Sequence, residues 1–305
     1  ITNIASSRFN PVLTGSATTG TSPHSVFVSG RYGYVVNSTS ATLQIFDIST
    51  SSPALVGSAT TGNAPFGLFV SGRYAYVVNR TSATLQIFDI SNPSSPVVVG
   101  SATTGTRPLS VFVSGRYAYV VNQTSATLQI FDVSNPSSPV VVGSATTGTV
   151  PNSVYVSGRY AYVVNDTSAT LQIFDISNPS SPVVVGSATT GTRPLSVFVS
   201  GRYAYVVNQT SATLQIFDVS NPSSPVVVGS ATTGAEPRFV SVSGRYAYII
   251  GGSNTLQVFD ISNPSSPVAV GSATTGVDPR SLYVSGRYAY VVNQTSATLQ
   301  IFDIS

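Results

Sequence analysis

The sequence predicts an all-β fold: a seven-bladed β-propeller of four-stranded antiparallel blades, with an N-terminal strand closing the last blade. Three observations carry that prediction. The tetrapeptide Ser-Gly-Arg-Tyr begins at Ser29, Ser71, Ser114, Ser157, Ser200, Ser243 and Ser285, at spacings of 42 or 43 residues. A fixed period of this length marks a propeller or a solenoid. Each unit holds four short strand-like runs and no sustained apolar period of about 3.6 residues, so no helix is expected. The third observation is that the two chain ends complete one another. The chain stops at Ser305, after a third strand, and Asn10 to Gly20 repeats the fourth-strand segment that every other unit carries.

The elements follow in order within residues 106–148, a unit repeated letter for letter at residues 192–234. Ser110 to Val113 is a short apolar first strand, closed by Ser114-Gly115, where Gly supplies the positive φ of a tight hairpin. Tyr117-Ala118-Tyr119-Val120-Val121 alternates large and small residues as a second strand does. Asn122 to Ser125 is turn chemistry, and Thr127 to Val133 is the third strand. Asn135-Pro136-Ser137-Ser138-Pro139 breaks it before Val140-Val141-Val142 begins the fourth. All 19 prolines fall in two repeat locations, the turn after Phe-Asp and the linker before each first strand, so no strand interior is interrupted.

Residues 1–305 are accordingly read as one domain, with residues 11–20 closing the blade built from residues 281–305 and residues 1–10 as an extension. The absence of Met, with Ile at position 1, reads as a processed or trimmed chain.

The phrases Leu43-Gln44-Ile45-Phe46-Asp47 and Leu85 to Pro96 resemble the repeat of the LVIVD family of bacterial and archaeal surface propellers. The resemblance covers all seven units. Leu, Ile and Asp of the motif are kept, while its two Val positions read Gln and Phe, or Gln-Val-Phe at Gln257 to Phe259. The preceding Gly-x-Tyr-Ala-Tyr-Val is also similar to that family. Membership implies a secreted or surface-exposed propeller and no defined activity.

Composition excludes several functions. There is no Cys, Met or Trp, every one of the 13 basic residues is Arg, and His24 is the lone His. Disulfides, thiol chemistry and Cys-ligated metals are ruled out, and neither a His cage nor a His-based triad is expected. No cofactor and no metal are predicted. No apolar run approaches the ~20 residues of a membrane helix. The net charge of +3 is thinly spread, unlike the basic stripe of a nucleic-acid binder. The lack of sulfur side chains and Lys, with abundant Ser and Thr, leans towards an extracellular or cell-surface product.

Propeller geometry sorts the turns onto two faces. One face carries seven Arg of Ser-Gly-Arg and seven Asp of Phe-Asp, expected as turn caps paired with one another rather than as a cation ring. The other face is where the units differ. Around a constant Pro, the linkers carry His24, Phe66, Arg107 with Leu109, Asn152, Arg193 with Leu195, Glu236 with Arg238, and Asp278 with Arg280. The turn after the second strand varies too, at Ser38, Arg80, Gln123, Asp166, Gln209 and Gln294, and the sixth unit reads Gly251-Gly252-Ser253-Asn254. Loops on a rigid scaffold are the usual place for recognition. These residues are therefore the candidate ligand or partner site, and none is assigned a catalytic role. Glu236 and Asp278, on adjacent units, are read as rim charges. Six Asn-x-Thr sequons permit glycosylation in a suitable host, although Asn is favoured in such turns anyway.

Two functions are expected. The first is a non-catalytic extracellular protein that assembles with copies of itself into a sheath, tube or filament. Its warrant is the uncharged outer edge strands, such as residues 97–104 and 140–147, aided by Ile1, Ile4 and Phe9 of the tail docking on a neighbour. The second is a monomeric adhesin or receptor whose varied face binds a glycan or peptide.

Overall fold

The computed structural model describes residues 9–305. Twenty-eight strands form seven four-stranded antiparallel sheets, and no helix occurs among the described residues. Blade 1 spans residues 23–60, blade 2 residues 65–103, blade 3 residues 108–146, blade 4 residues 151–189, blade 5 residues 194–232 and blade 6 residues 237–274. Blade 7 spans residues 279–303 and borrows Val12–Thr18 as its outer strand.

Blade 3 stands for the rest. Its strands are Pro108–Ser114, Tyr117–Asn122, Thr127–Asp132 and Val140–Thr146. The first begins earlier than the apolar run alone indicates, at the proline. Pro108 pairs with Asn122 and is followed by a bulge before Ser110 meets Val121. Proline at the first residue of a strand, next to a bulge, withholds no ladder hydrogen bond.

Successive side chains on a strand point to opposite faces, and here both faces of each sheet are covered. Tyr119, Val121, Leu128 and Ile130 of blade 3 pack against Val154, Val156, Ala161, Val163 and Phe174 of blade 4. Their alternates Val120 and Phe131 face blade 2. This is why Ile130 and Phe131, adjacent in sequence, are both fully buried. The core is thus a ring of seven inter-blade layers rather than one centre.

A glycine in each fourth strand sets the blade spacing. At Gly143 a Cβ would lie 2.0 Å from the carbonyl oxygen of Pro179 in the next blade's turn, and Gly57, Gly100, Gly186 and Gly229 repeat this. At Gly271 the same seat is taken by the carbonyl of Phe9.

The N-terminal segment therefore does two things. It completes blade 7, with Val12 opposite Asp303 and Thr18 opposite Thr298. It also stands in for a missing turn against blade 6, where Phe9 N donates to Val270 O at 3.1 Å and the Phe9 ring lies 4.7 Å from Tyr246. Phe9, expected in a tail reaching for a neighbour, is thus docked on its own chain, because Gly271 and Tyr246 offer it the seat a turn fills elsewhere. Ile1 and Ile4 lie outside the described residues.

The lower face pairs its charges blade by blade. Arg116 donates to Asp132, whose other oxygen accepts Ser134 N at 2.9 Å, and the guanidinium lies 5.4 Å above the Tyr117 ring. The Arg neighbour and the Ser bonds hold all seven carboxyls well below the usual range. The sequon asparagines are not surface groups. Asn37, Asn79, Asn122, Asn165, Asn208 and Asn293 are 0% exposed, and Asn122 Nδ2 donates to Thr127 Oγ1 at 3.1 Å and Gln129 Oε1 at 3.0 Å. In the folded chain the six side chains are closed off from solvent, because this buried fork ties the second-to-third turn to Gly105 N, which Gln129 Oε1 also accepts at 2.8 Å.

Candidate functional site

First strands line the central channel, and their residues form stacked rings. The residue after each constant Pro contributes the upper ring of His24, Phe66, Leu109, Asn152, Leu195, Arg238 and Arg280. Three residues further on, Phe27, Phe69, Phe112, Tyr155, Phe198 and Tyr283 form a lower aromatic ring whose neighbouring centroids are 4.6–4.9 Å apart. The ring is open at blade 6. That strand reads Phe239-Val240-Ser241 where five blades read Ser, an aliphatic residue and an aromatic, so Ser241 occupies the aromatic seat between Phe198 and Tyr283. Together the rings enclose a cavity of about 570 Å³. This lies within the roughly 300–1,000 Å³ of small-ligand sites, which combine apolar walls with a few placed polar groups.

Between the rings, serines tie blades together: Ser110 Oγ accepts Val154 N at 3.3 Å and Ser281 Oγ accepts Val26 N at 3.2 Å. Above them, backbone bonds fix the mouth. The residue before each Pro is left-handed, at φ +50° to +63°, and its carbonyl accepts the turn amide, as Arg107 O does from Gln123 N at 2.8 Å. Because the backbone makes this bond, the side chain there is free to vary. Val150 in that conformation is a strained choice, at ~1–3 kcal/mol for such outliers.

The sequence-predicted residues do not all reach the cavity. His24, Phe66, Leu109, Asn152, Arg193, Leu195, Arg238 and Arg280 line it. Arg107 instead lines a separate recess with Gln123, Thr124 and Val150. Glu236 and Asp278 stand behind the wall and hold its cations. Asp278 accepts from Arg238 and, at 2.9 Å, from Arg280, while Glu236 accepts from Arg238 at 3.3 Å. The two acids are therefore bridged by arginine rather than facing each other across a gap. Blade 6 is cut to fit this cluster. A Cβ at Gly252 would lie 2.8 Å from Glu236 Oε2, and Asn254 Oδ1 accepts Asp278 N at 2.9 Å.

The guanidinium Nε atoms of Arg238 and Arg280 are buried without an acceptor, and Gln209 Oε1 is buried without a donor. An unsatisfied buried polar group costs about 1–3 kcal/mol. Burial, and for Arg238 the neighbouring Arg280, pull both guanidiniums below the usual arginine value. His24 stacks on Phe66 at 3.8 Å between centroids, and Arg80 lies 5.6 Å from the other ring partner, Phe66. Burial first, then Arg280 and Arg238, push His24 down to about 3, so it is neutral at ordinary pH. Opposite, Asn152 Nδ2 and Arg193 Nε both approach Asp166 Oδ2, at 3.3 and 3.5 Å. Among the described residues, no three His, Cys, Asp or Glu side chains gather as metal ligands.

The aromatic ring and Ser241 line the cavity without being identified by the variation of linkers and turns, whereas Asp166 is one of the varied turn residues. The signal of the ring and of Ser241 is in the repeats, as an aromatic recurring at one seat of each first strand and a Phe–Ser exchange in the sixth.

The profile of the LVIVD repeat matches seven times, at residues 21–61, 66–104, 109–147, 151–190, 195–233, 237–275 and 278–305. The chain belongs to the LVIVD-repeat family. No curated protein is matched by its sequence. Solved structures share the fold of this LVIVD-repeat chain. Hydrazine synthase of Kuenenia stuttgartiensis is 17% identical over 95% of this chain and 98% of its own, with a TM-score of 0.79. A putative 6-phosphogluconolactonase of Bacteroides fragilis is 16% identical over 94% and 92%, with a TM-score of 0.77. The computationally designed protein Ika8 is 8% identical over 97% and 100%, with a TM-score of 0.71. At such identities the likeness is one of fold alone, and function has to be argued from the site.

Proposed function

We propose that this LVIVD-repeat propeller is a non-catalytic binding protein whose ligand, a peptide or glycan, enters the channel cavity from the variable face. One observation carries the reading: the cavity mouth is ringed by the seven positions that follow the constant Pro, and these change in size and charge from blade to blade. Binding without turnover is supported by the state of the reactive groups. His24 is neutral and stacked, and Glu236 and Asp278 are each held by arginine. An extracellular or cell-surface setting belongs to the same proposal.

The test replaces His24, Phe66, Asn152, Arg238 and Arg280 by Leu, the residue blades 3 and 5 carry at that seat. On peptide and glycan arrays the native chain retains a ligand, and this variant, with its β circular dichroism retained, loses it. Equal retention by both contradicts the proposal.

A second reading, assembly with further copies into a sheath, tube or filament, is favoured by the outer strands. Val97, Val98, Val140, Val141, Val183 and Val184 are 42–55% exposed on strands that carry no charge. Such edges invite pairing. Sedimentation over a range of concentrations tests it: growth that is abolished by Val98→Lys with Val141→Lys and Val184→Lys supports assembly, and a monomer throughout removes it.

A further inference from the structure

The departures of blade 6 from its neighbours converge on one sector of the cavity. Glu236, Arg238, Phe239, Ser241, Gly252 and Asn254 all differ from the repeat pattern, and they meet Asp278 and Arg280 of blade 7 beside His24 of blade 1. At the mouth of this sector stand two arginines. Directly below, the aromatic ring opens at Ser241.

The charges at the mouth have a definite sign. The charged residues lining the cavity are Arg80, Arg193, Arg238 and Arg280 against Asp166 alone. Adding Asp278 and Glu236 behind the wall leaves four arginines against three acids; Arg193 pairs with Asp166 and the two arginines of this sector with Asp278 and Glu236, so the surplus cation is Arg80, over the Phe66 ring of blade 2. Arg280 is the more accessible of the pair, at 30% exposure against 14% for Arg238, and each has a buried Nε–H with no acceptor. Planar carboxylates match guanidinium forks, and Asp278 already shows the match by taking one arm from each arginine. Below the two arginines, the walls include Phe198, Phe239 and Tyr283. From Arg238 to Ser241 is three residues of strand, roughly 10 Å at about 3.3 Å each.

We propose that this sector binds a monocarboxylate on an apolar body about 10 Å long, with the carboxylate at Arg280 and Arg238 and the body in the gap above Ser241. The inference rests on the cavity being the binding site. The chemistry is shared by a free aryl or alkyl carboxylate and by the C-terminal residue of a peptide ending in an apolar side chain. It meets the accessible part of the Arg280 side chain and fills the one interruption in the aromatic ring.

Calorimetric titration of the full chain tests it with two matched pairs of probes. One pair is phenylbutyrate and phenylbutanamide. The other is an acetylated Gly-Gly-Phe peptide as its free acid and as its C-terminal amide. The acid is expected to bind at least about ten-fold more tightly than the amide in one pair or both, as a charge-assisted bond requires, and the pair that responds names the source. Arg280→Gln abolishes the preference and Arg280→Lys restores part of it. The double variant Phe239→Ser with Ser241→Phe, which gives blade 6 the pattern of five other blades and so keeps the fold, weakens acid and amide alike. Equal affinity for acid and amide overturns the carboxylate assignment while leaving the cavity as the site. Binding unchanged in the double variant takes the ligand out of the gap above Ser241 and overturns the proposal, while binding unchanged in the five-fold Leu variant as well overturns the reading beneath it. No binding by any of the four probes overturns the proposal.

Discussion

At the scale of single residues, the repeat makes the same few positions decisive seven times over. Gly143→Ala pushes a Cβ onto the Pro179 carbonyl, 2.0 Å away, and an overpacked contact of this kind costs about 1–3 kcal/mol. Urea denaturation should show that loss; an unchanged midpoint would mean that the blades separate freely. The opposite sign is expected at Ala126, which sits at φ +50°, where an L side chain costs roughly 1–2 kcal/mol. Ala126→Gly removes most of that strain while surrendering some unfolded-state entropy, for a net gain of about 0.5–1 kcal/mol in the same assay. Blade 6 already carries Asn254 in this seat. Neither glycine nor alanine announces its role in a single unit. The Gly143 seat depends on a carbonyl 36 residues downstream, and only blade-to-blade geometry brings the two together.

Among elements, the hairpin is the unit that sequence reveals most fully. Alternation in Tyr117 to Val121, the Ser114-Gly115 turn and the Pro-rich break at residues 135–139 each act locally, so strand identity and order are legible from one repeat. Side-chain bridges between elements are less so. The pairing of Arg116 with Asp132 was expected because register places them at one end of a hairpin, whereas Arg238 meeting Asp278 depends on rotamers across a blade boundary. The lower-face pairs have a pH signature. Their carboxyls are depressed in the folded state, Asp260 and Asp303 to about 2, against about 4 when unfolded. Their contribution is therefore fully present above about pH 4 and is lost as pH falls through about 2. Thermal midpoints should stay level from neutral pH to about 4 and fall below it, and Arg116→Ala should reduce that acid-side fall. The guanidiniums are near 60% exposed, so screening by salt should flatten the effect. A midpoint already falling between pH 7 and about 5 would contradict it.

For the whole molecule, closure and individuality are separate properties. Closure was legible because residues 10–20 repeat a segment that residues 281–305 lack. Removing residues 1–20 uncovers the edge of Thr298–Asp303 and empties the Gly271 seat; the shortened chain should melt lower and self-associate, with a peptide of residues 9–20 restoring the monomer. Retention of the native midpoint would mean that the latch does not hold the ring. Individuality was legible only as a list of varied linkers. That the same positions ring a cavity follows from the inward aim of the first strands, and the Phe239–Ser241 exchange acquires meaning only beside Phe198 and Tyr283. The most direct test is a crystal structure of the chain with phenylbutyrate or the Phe-terminated peptide. The carboxylate should lie within hydrogen-bond reach of Arg280 and Arg238, about 2.7–3.2 Å, with the aromatic body beside Ser241. Density for the ligand on the outer valine strands or the lower Arg–Asp face, with the cavity unchanged, would contradict the assignment.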